Sequence, residues 1–103
     1  EGESLMLTGD ENIIDVKFTV FWVISDAGKY LFNVRAQSRT VKDASEAAMR
    51  EVIGKTDLNS ALSEGRSILA EQTQVLVQEI LDSYDSGILI TQVEPQTVQV
   101  GLR

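Results

Sequence analysis

Between residues 13 and 25 apolar side chains recur at every second position. Ile14, Val16, Phe18, Val20, Trp22 and Ile24 fall on one face without a break, and in a strand successive side chains point to opposite faces. A helix would scatter that set around its axis, so the stretch predicts a long strand with one buried face. The other face opens polar, at Asp15, Lys17 and Thr19, and turns apolar at Phe21 and Val23. An apolar second face needs cover. Either Phe21 and Val23 pack under something local, the alternative that the scarcity of large exposed apolar patches favours, or they belong to an interface. The run Leu5, Met6, Leu7 before the polar turn cluster Gly9-Asp10-Glu11-Asn12 predicts an antiparallel partner strand.

Downstream, Asp26 is placed to cap a short turn or helix over residues 27–33 that tucks Tyr30, Leu31 and Val34 onto the sheet. Residues 37–39 read as a polar connection, and Arg35, Arg39 and Lys42 as a solvated basic patch rather than an anion site. Thr40 with Asp43 three residues on has capping-box spacing. Val41, Ala44, Ala48 and Val52, flanked by Met49 and Ile53, then trace one helical face, with Glu46 and Arg50 as an i, i+4 pair. Small residues on that face allow close approach to a sheet, and Gly54 suits a left-handed helix stop.

Asp57 can cap a brief turn carrying Leu58 and Leu62. Ser63 is the expected N-cap of a last helix running to about residue 85. Its expected buried stripe is Leu69, Thr73, Leu76, Ile80 and Tyr84, flanked by Val77 and Leu81, and its wet face is Glu71, Gln74, Gln78, Asp82 and Asp85. After Gly87, Ile88-Leu89-Ile90 opens a strand expected to reach Val93. Pro95 either limits its extension or confines it to an edge, and the tail alternates weakly through Val98 and Val100. These elements make an α+β fold. An antiparallel hairpin packs with a short helix, an alanine-rich helix and a long C-terminal helix that returns to a last strand.

The chain has 103 residues, enough for one modest core. A 43% hydrophobic and 24% charged composition is ordinary for a globular domain, and a net charge of −7 opposes non-specific nucleic-acid binding. Cysteine and histidine are both absent. That removes disulfides, the usual zinc ligands and the commonest general base together, and no metal or cofactor is expected. A Ser–Lys nucleophile involving Lys29 or Lys55 lacks the spacing that would support it. Asp85-Ser86-Gly87 spells the tripeptide of aspartic proteases, and a dimer of such chains could bring two carboxylates together. The tripeptide follows an amphipathic helix near the end of the chain, however, and Val52-Ile53-Gly54 precedes it, so a helix C-terminus is the better reading. The longest apolar run, residues 18–24, is far too short to span a bilayer, which takes roughly 20 residues. Glu1 stands where a Met would begin a natural chain, which fits an excised fragment.

Four features occur in order. They are Ser25-Asp26 with the run from Lys29 through Tyr30, Leu31, Phe32 and Asn33 to Val34; Met49-Arg50-Glu51-Val52-Ile53-Gly54-Lys55; Leu62-Ser63-Glu64-Gly65-Arg66; and Tyr84-Asp85-Ser86-Gly87-Ile88 before a strand. Together they resemble the SPFH (band 7) family of stomatins, prohibitins, flotillins and the bacterial HflK and HflC proteins. The opening Glu3-Ser4-Leu5-Met6-Leu7-Thr8 with Asp10-Glu11-Asn12 is most similar to the HflK branch. Ala27-Gly28 departs from the proline more usual after the Asp, and residues 96–103 do not show the proline pair expected before a coiled coil.

The resemblance implies a partial SPFH domain over residues 1–95, lacking its first strands, and a tail or linker start over 96–103. It implies a non-enzymatic scaffold of the bacterial inner membrane, with a single-pass N-terminal anchor and this domain in the periplasm. The implied partners are an HflC-like subunit and an FtsH-like membrane protease whose activity the assembly modulates; a lipid-associated microdomain scaffold is the alternative within the family. Phe21, Val23, Arg50 and Arg66 are the candidate interface or bracing residues. Arg66 is included because a cation in the first turn of a helix opposes the dipole and calls for a carboxylate partner.

Overall fold

The computed structural model describes residues 2–35, 37–62 and 66–100. Strands β1 (Gly2–Leu7) and β2 (Ile13–Ile24) form the hairpin. Helices α1 (Ala27–Asn33), α2 (Gln37–Gly54), α3 (Leu58–Leu62) and α4 (Arg66–Ser83) follow, and β3 (Ile88–Val100) closes the chain. The described strands make one antiparallel sheet in the order β1-β2-β3, so β2 is central and the other two are edges.

The sheet faces α2 and α4 on one side only. Ile14, Val16 and Phe18 of β2 are fully buried there with Met6 of β1 and Ile88, Ile90, Val93 and Val98 of β3. Ala44, Ala48, Met49, Val52 and Ile53 of α2 meet them, with Leu69, Val77 and Leu81 of α4. Ala48 is completely buried beside Met49, which is what a small-residue face makes possible. The α4 stripe is Leu69-Thr73-Val77-Leu81, all at i, i+4 spacing and all buried. Leu76 and Ile80, expected in the stripe, flank it half-buried, and Tyr84, just past the helix end, is exposed.

The strand β3 does not stop at Val93. It runs through Pro95 to Val100, with register shifts against β2 between Lys17 and Phe18 and between Phe21 and Trp22. Each shift places an extra residue on β3, at Thr91 and Gln96. An extra residue flips the side-chain parity, so the inward positions are Ile88, Ile90, Val93 and Val98 rather than a strict period of two. Pro95 adjoins the second bulge on an edge strand, where a missing N–H is tolerated. Its free edge is closed in part by α4. The Gln78 side chain donates to Ile88 O at 2.9 Å and accepts from Ile90 N at 2.8 Å, as a neighbouring strand would. Gln74 donates to Ile90 O at 3.3 Å. Both glutamines were expected on the wet face; they are half-buried instead.

Helix ends also differ from expectation. The helix α2 begins at Gln37, one turn before Thr40, because nothing in Gln37-Ser38-Arg39 opposes helix formation. Thr40 is therefore an interior residue, not a cap. Gly54 has no left-handed backbone. The carbonyls of Val52 and Ile53 are taken by the N–H groups of Lys55 and Thr56 in a tightened last turn, and the Thr56 hydroxyl donates to Val52 O at 2.7 Å. Ser63 lies outside the described residues. Asp26 caps α1 as expected, accepting from Lys29 N at 3.1 Å, and Asp57 caps α3 through Ser60 N at 3.3 Å. Tyr30 of α1 and its C-cap Val34 are buried, but Leu31 points outward.

Two turns lock the layers together. The hairpin turn docks on the end of α2, where Gly9 N donates to Thr56 O at 2.9 Å. There Asp10 accepts from the Thr8 hydroxyl at 2.6 Å and from Leu58 N at 3.1 Å. Those bonds, the Thr8 hydroxyl foremost, hold the Asp10 carboxyl below its ordinary value near 3.8. A lowered folded pKa stabilises the fold above the unfolded value and ceases to do so as pH falls through the folded one. The second turn is at Gly87 (φ +70°), whose carbonyl accepts from Ser25 N at 2.7 Å and Asp26 N at 3.1 Å. A Cβ there would collide with Asp26 O.

Gly87→Ala is expected to lose about 1–3 kcal/mol from the left-handed backbone and more from the clash, read as a fall in the denaturant midpoint. Asp10→Asn is expected to flatten the acid limb of a stability–pH curve below pH 3.8; an unchanged acid limb would contradict the role given to that carboxylate.

Candidate association surface

The face of the sheet turned away from the helices is open. Phe21 and Val23 are 46% and 48% exposed, and Leu89, paired with Val23 in the register, is exposed beside them. Local cover, the favoured expectation for this pair, is absent among the described residues. All the described helices lie against the other face or at its end. Leu5, Leu7 and Ile13 form a second exposed apolar group at the opposite end of the same sheet. The middle is polar, and Gln96 spans it by bonding Thr19 and Glu94 at 3.3 Å and 3.0 Å.

Arg50 lies on the exposed side of α2, where its Nη1 donates to Leu5 O on β1 at 3.3 Å. It thus joins the helix layer to an edge carbonyl. The side chain of Arg66, at the first position of α4, lies outside the described residues. The structure therefore brings Phe21 and Val23 together on one face and sets Arg50 apart from them on the helix layer.

The Asp85-Ser86-Gly87 tripeptide is a helix stop. Asp85 has a left-handed backbone (φ +54°), and its main-chain carbonyl accepts from Asn33 Nδ2 at 2.8 Å. Its carboxylate lies 3.0 Å from Lys29 Nζ. Buried Ser86 accepts from Ile88 N at 3.2 Å, and Gly87 supplies the turn described above. A proton-sharing dyad needs two facing carboxylates, whereas this one is neutralised by a cation. Hydrogen bonding and charge from Asp85 push Lys29 above its ordinary value near 10.5. Among the described residues no group of three or more His, Cys, Asp or Glu side chains is placed to hold a metal ion.

Sequence reasoning passed over Phe32. It stands 88% exposed on α1, next to Leu31 at 68%. The signal was available: Tyr30 and Val34 alone satisfy the inward side of a helix of 7 residues, which turns its neighbours outward.

The described residues form a two-layer sheet-and-helix unit, and comparison with known proteins identifies its family. The family described as SPFH domain / Band 7 matches residues 5–101. The chain belongs to the SPFH domain / Band 7 family. It is 37% identical over 97 residues to protein HflK of Haemophilus influenzae, covering 94% of this chain and 24% of that protein. The modulator of FtsH protease HflK of Escherichia coli K12 is 34% identical over 95 residues, with 92% and 23% covered. The HflK protein of Treponema pallidum is 35% identical over 98 residues, with 93% and 30% covered. The chain thus spans about a quarter of the length of most of the HflK relatives it matches. Among the described residues no helix is long and apolar enough to cross a membrane.

Removing the Asp85 carboxylate tests the two accounts of this SPFH turn. A raised Lys29 pKa means that the pair stabilises below pH 10.5 and is lost as pH rises through the folded value. Asp85→Asn should therefore lower stability at neutral pH and match the parent chain at strongly alkaline pH. A peptide-cleaving activity at mildly acidic pH that this variant abolishes would return the tripeptide to catalysis.

Proposed function

We propose that this SPFH domain is a non-enzymatic scaffold and regulatory module of an HflK-like membrane protein. In that reading it assembles with an HflC-like subunit and modulates an FtsH-like membrane protease. The observation that carries the proposal is end-to-end similarity, over 92% of the chain, to a protein named as a modulator of FtsH protease. An open apolar sheet face on a small domain supports an assembling role, because such patches mark interaction sites.

In this reading a single-pass anchor precedes the domain in the bacterial inner membrane, the domain lies on the periplasmic side, and a linker to a coiled coil follows it. Phe21 and Val23 meet another part of the assembly, while Arg50 braces α2 to β1. Arg66 is engaged by a carboxylate of the domain or of a neighbouring subunit. Each contact can be weak, since anchor and coiled coil raise the effective concentration of neighbouring domains. The isolated domain can accordingly remain a monomer.

Sedimentation of a longer protein carrying the anchor and the coiled coil tests this. We expect a large assembly, broken up by Phe21→Asp with Val23→Asp while the circular dichroism of the domain is unchanged. A strictly monomeric longer protein would sink the scaffold reading. Arg66→Ala should lower thermal stability or assembly, and no change in either removes that residue from the scheme.

A further inference from the structure

The helix layer carries a groove on the side turned away from the sheet. Hollows of about 270, 380 and 220 Å³ follow one another along the seam between α2 and α4. The first two share Lys55, Thr56 and Gln72, so they form one trough. The third continues the seam between Ala47 and Ile80 toward Tyr84. Residues 51–56 of the α2 side face 72–79, and 40–47 face 80–84, so the two helices run antiparallel. From Ile68 to Ile80 the seam is about 18 Å long, more than three helical turns.

The α4 wall of this groove has its own apolar row. Ile68, Gln72, Val75 and Glu79 are all exposed and stand four, three and four residues apart, the alternation of a coiled-coil seam. Ile68 and Val75 are each 59% exposed, and half-buried Leu76 and Ile80 lie beside them. The core stripe Leu69-Thr73-Val77-Leu81 faces the sheet instead.

The groove is also acidic. Glu51 and Glu79 rim the trough, Asp57 stands at one end of the seam and Asp43 at the other. Lys55 is the one cation among the described lining residues, and it already lies 3.6 Å from Glu51. The helix α4 has no cation after Arg66, and Arg39, Lys42 and Arg50 of α2 line none of the three hollows.

A seam between two antiparallel helices accepts a third helix laid along it, and its period and charge specify which kind. We propose that the α2–α4 groove receives a basic amphipathic helix of a partner protein. Its apolar side chains seat against Ile68, Val75 and Leu76, and its lysines or arginines meet Glu79, Glu51 and Asp43. A second copy of this chain does not supply such a helix from its described residues. The apolar faces of α2 and α4 are buried against the sheet, and α1 has only 7 residues. The contact is independent of the scaffold reading, whose residues Phe21 and Val23 lie on the opposite side of the molecule.

The probe is a fluorescein-labelled peptide of about 18 residues, long enough to form a helix, with leucine at heptad positions a and d and lysine on the flanks. Titrating it with the full 103-residue chain and following anisotropy should show saturable one-to-one binding. Ile68→Lys with Val75→Lys should weaken it at least about tenfold. Phe21→Lys with Val23→Lys changes the net charge equally and should leave it unchanged. All four positions are exposed, so neither variant disturbs the core. Glu79→Gln should lower the affinity and flatten its salt dependence. Absence of binding overturns the proposal. So does equal binding of a scrambled peptide of the same charge, which would reduce the contact to charge attraction. An equal loss in the sheet-face variant overturns it too, by placing the peptide on the sheet.

Discussion

The single buried row Ile14, Val16 and Phe18 on the central strand holds the two layers of this domain together. Every helix that covers the sheet does so from that side. A domain of 103 residues has only modest apolar area to bury, and here it is spent on one interface between a sheet and two long helices. The consequences are geometric. Among the described residues the reverse face of the sheet is open, β1 and β3 are edges, and the chain manages both. It does so with side chains rather than further elements: Gln78 and Gln74 bond the first part of the β3 edge, and Arg50 takes a carbonyl of β1.

Where local chemistry decides, the sequence was easy to read. The alternation of β2, the Asp26 cap and the limits of α1 follow from spacing and short-range hydrogen bonding. The family likewise was legible, because its motifs recur in order through most of the chain. The strand β3 was legible only in its first half. Its two bulges space the inward residues unevenly, so Val98 and Val100 look like a weakly patterned tail although they belong to one strand. Bulges depend on the partner strand's register, and a single sequence does not carry that information. The same limit applies to Gln78: a glutamine on a helix reads as a wet-face residue until the edge it serves is known.

The candidate surface was legible by residue but not by environment. Phe21 and Val23 were identifiable from the broken polarity of the outer strand face, yet whether they were covered depended on where all the helices went. Packing on one side left them exposed. Phe32 was missed for a related reason. A short helix with two buried anchors must turn something outward, and hydrophobicity alone does not say which residue that is.

The turn at Asp85 and Gly87 joins these threads. Its Asp-Ser-Gly sequence looks like chemistry, but Asp85 and Gly87 attach α1 and the strand end before it to the end of α4, and Ser86 accepts from Ile88 N within the turn. Gly87 O receives Ser25 and Asp26, the Asp85 carboxylate holds Lys29, and the Asp85 carbonyl holds Asn33. Two attachments along so short a helix, and a third at the residues just before it, fix α1 relative to the end of α4. In this domain the segment that most resembles an active site is a structural joint, and its one carboxylate is occupied in holding Lys29.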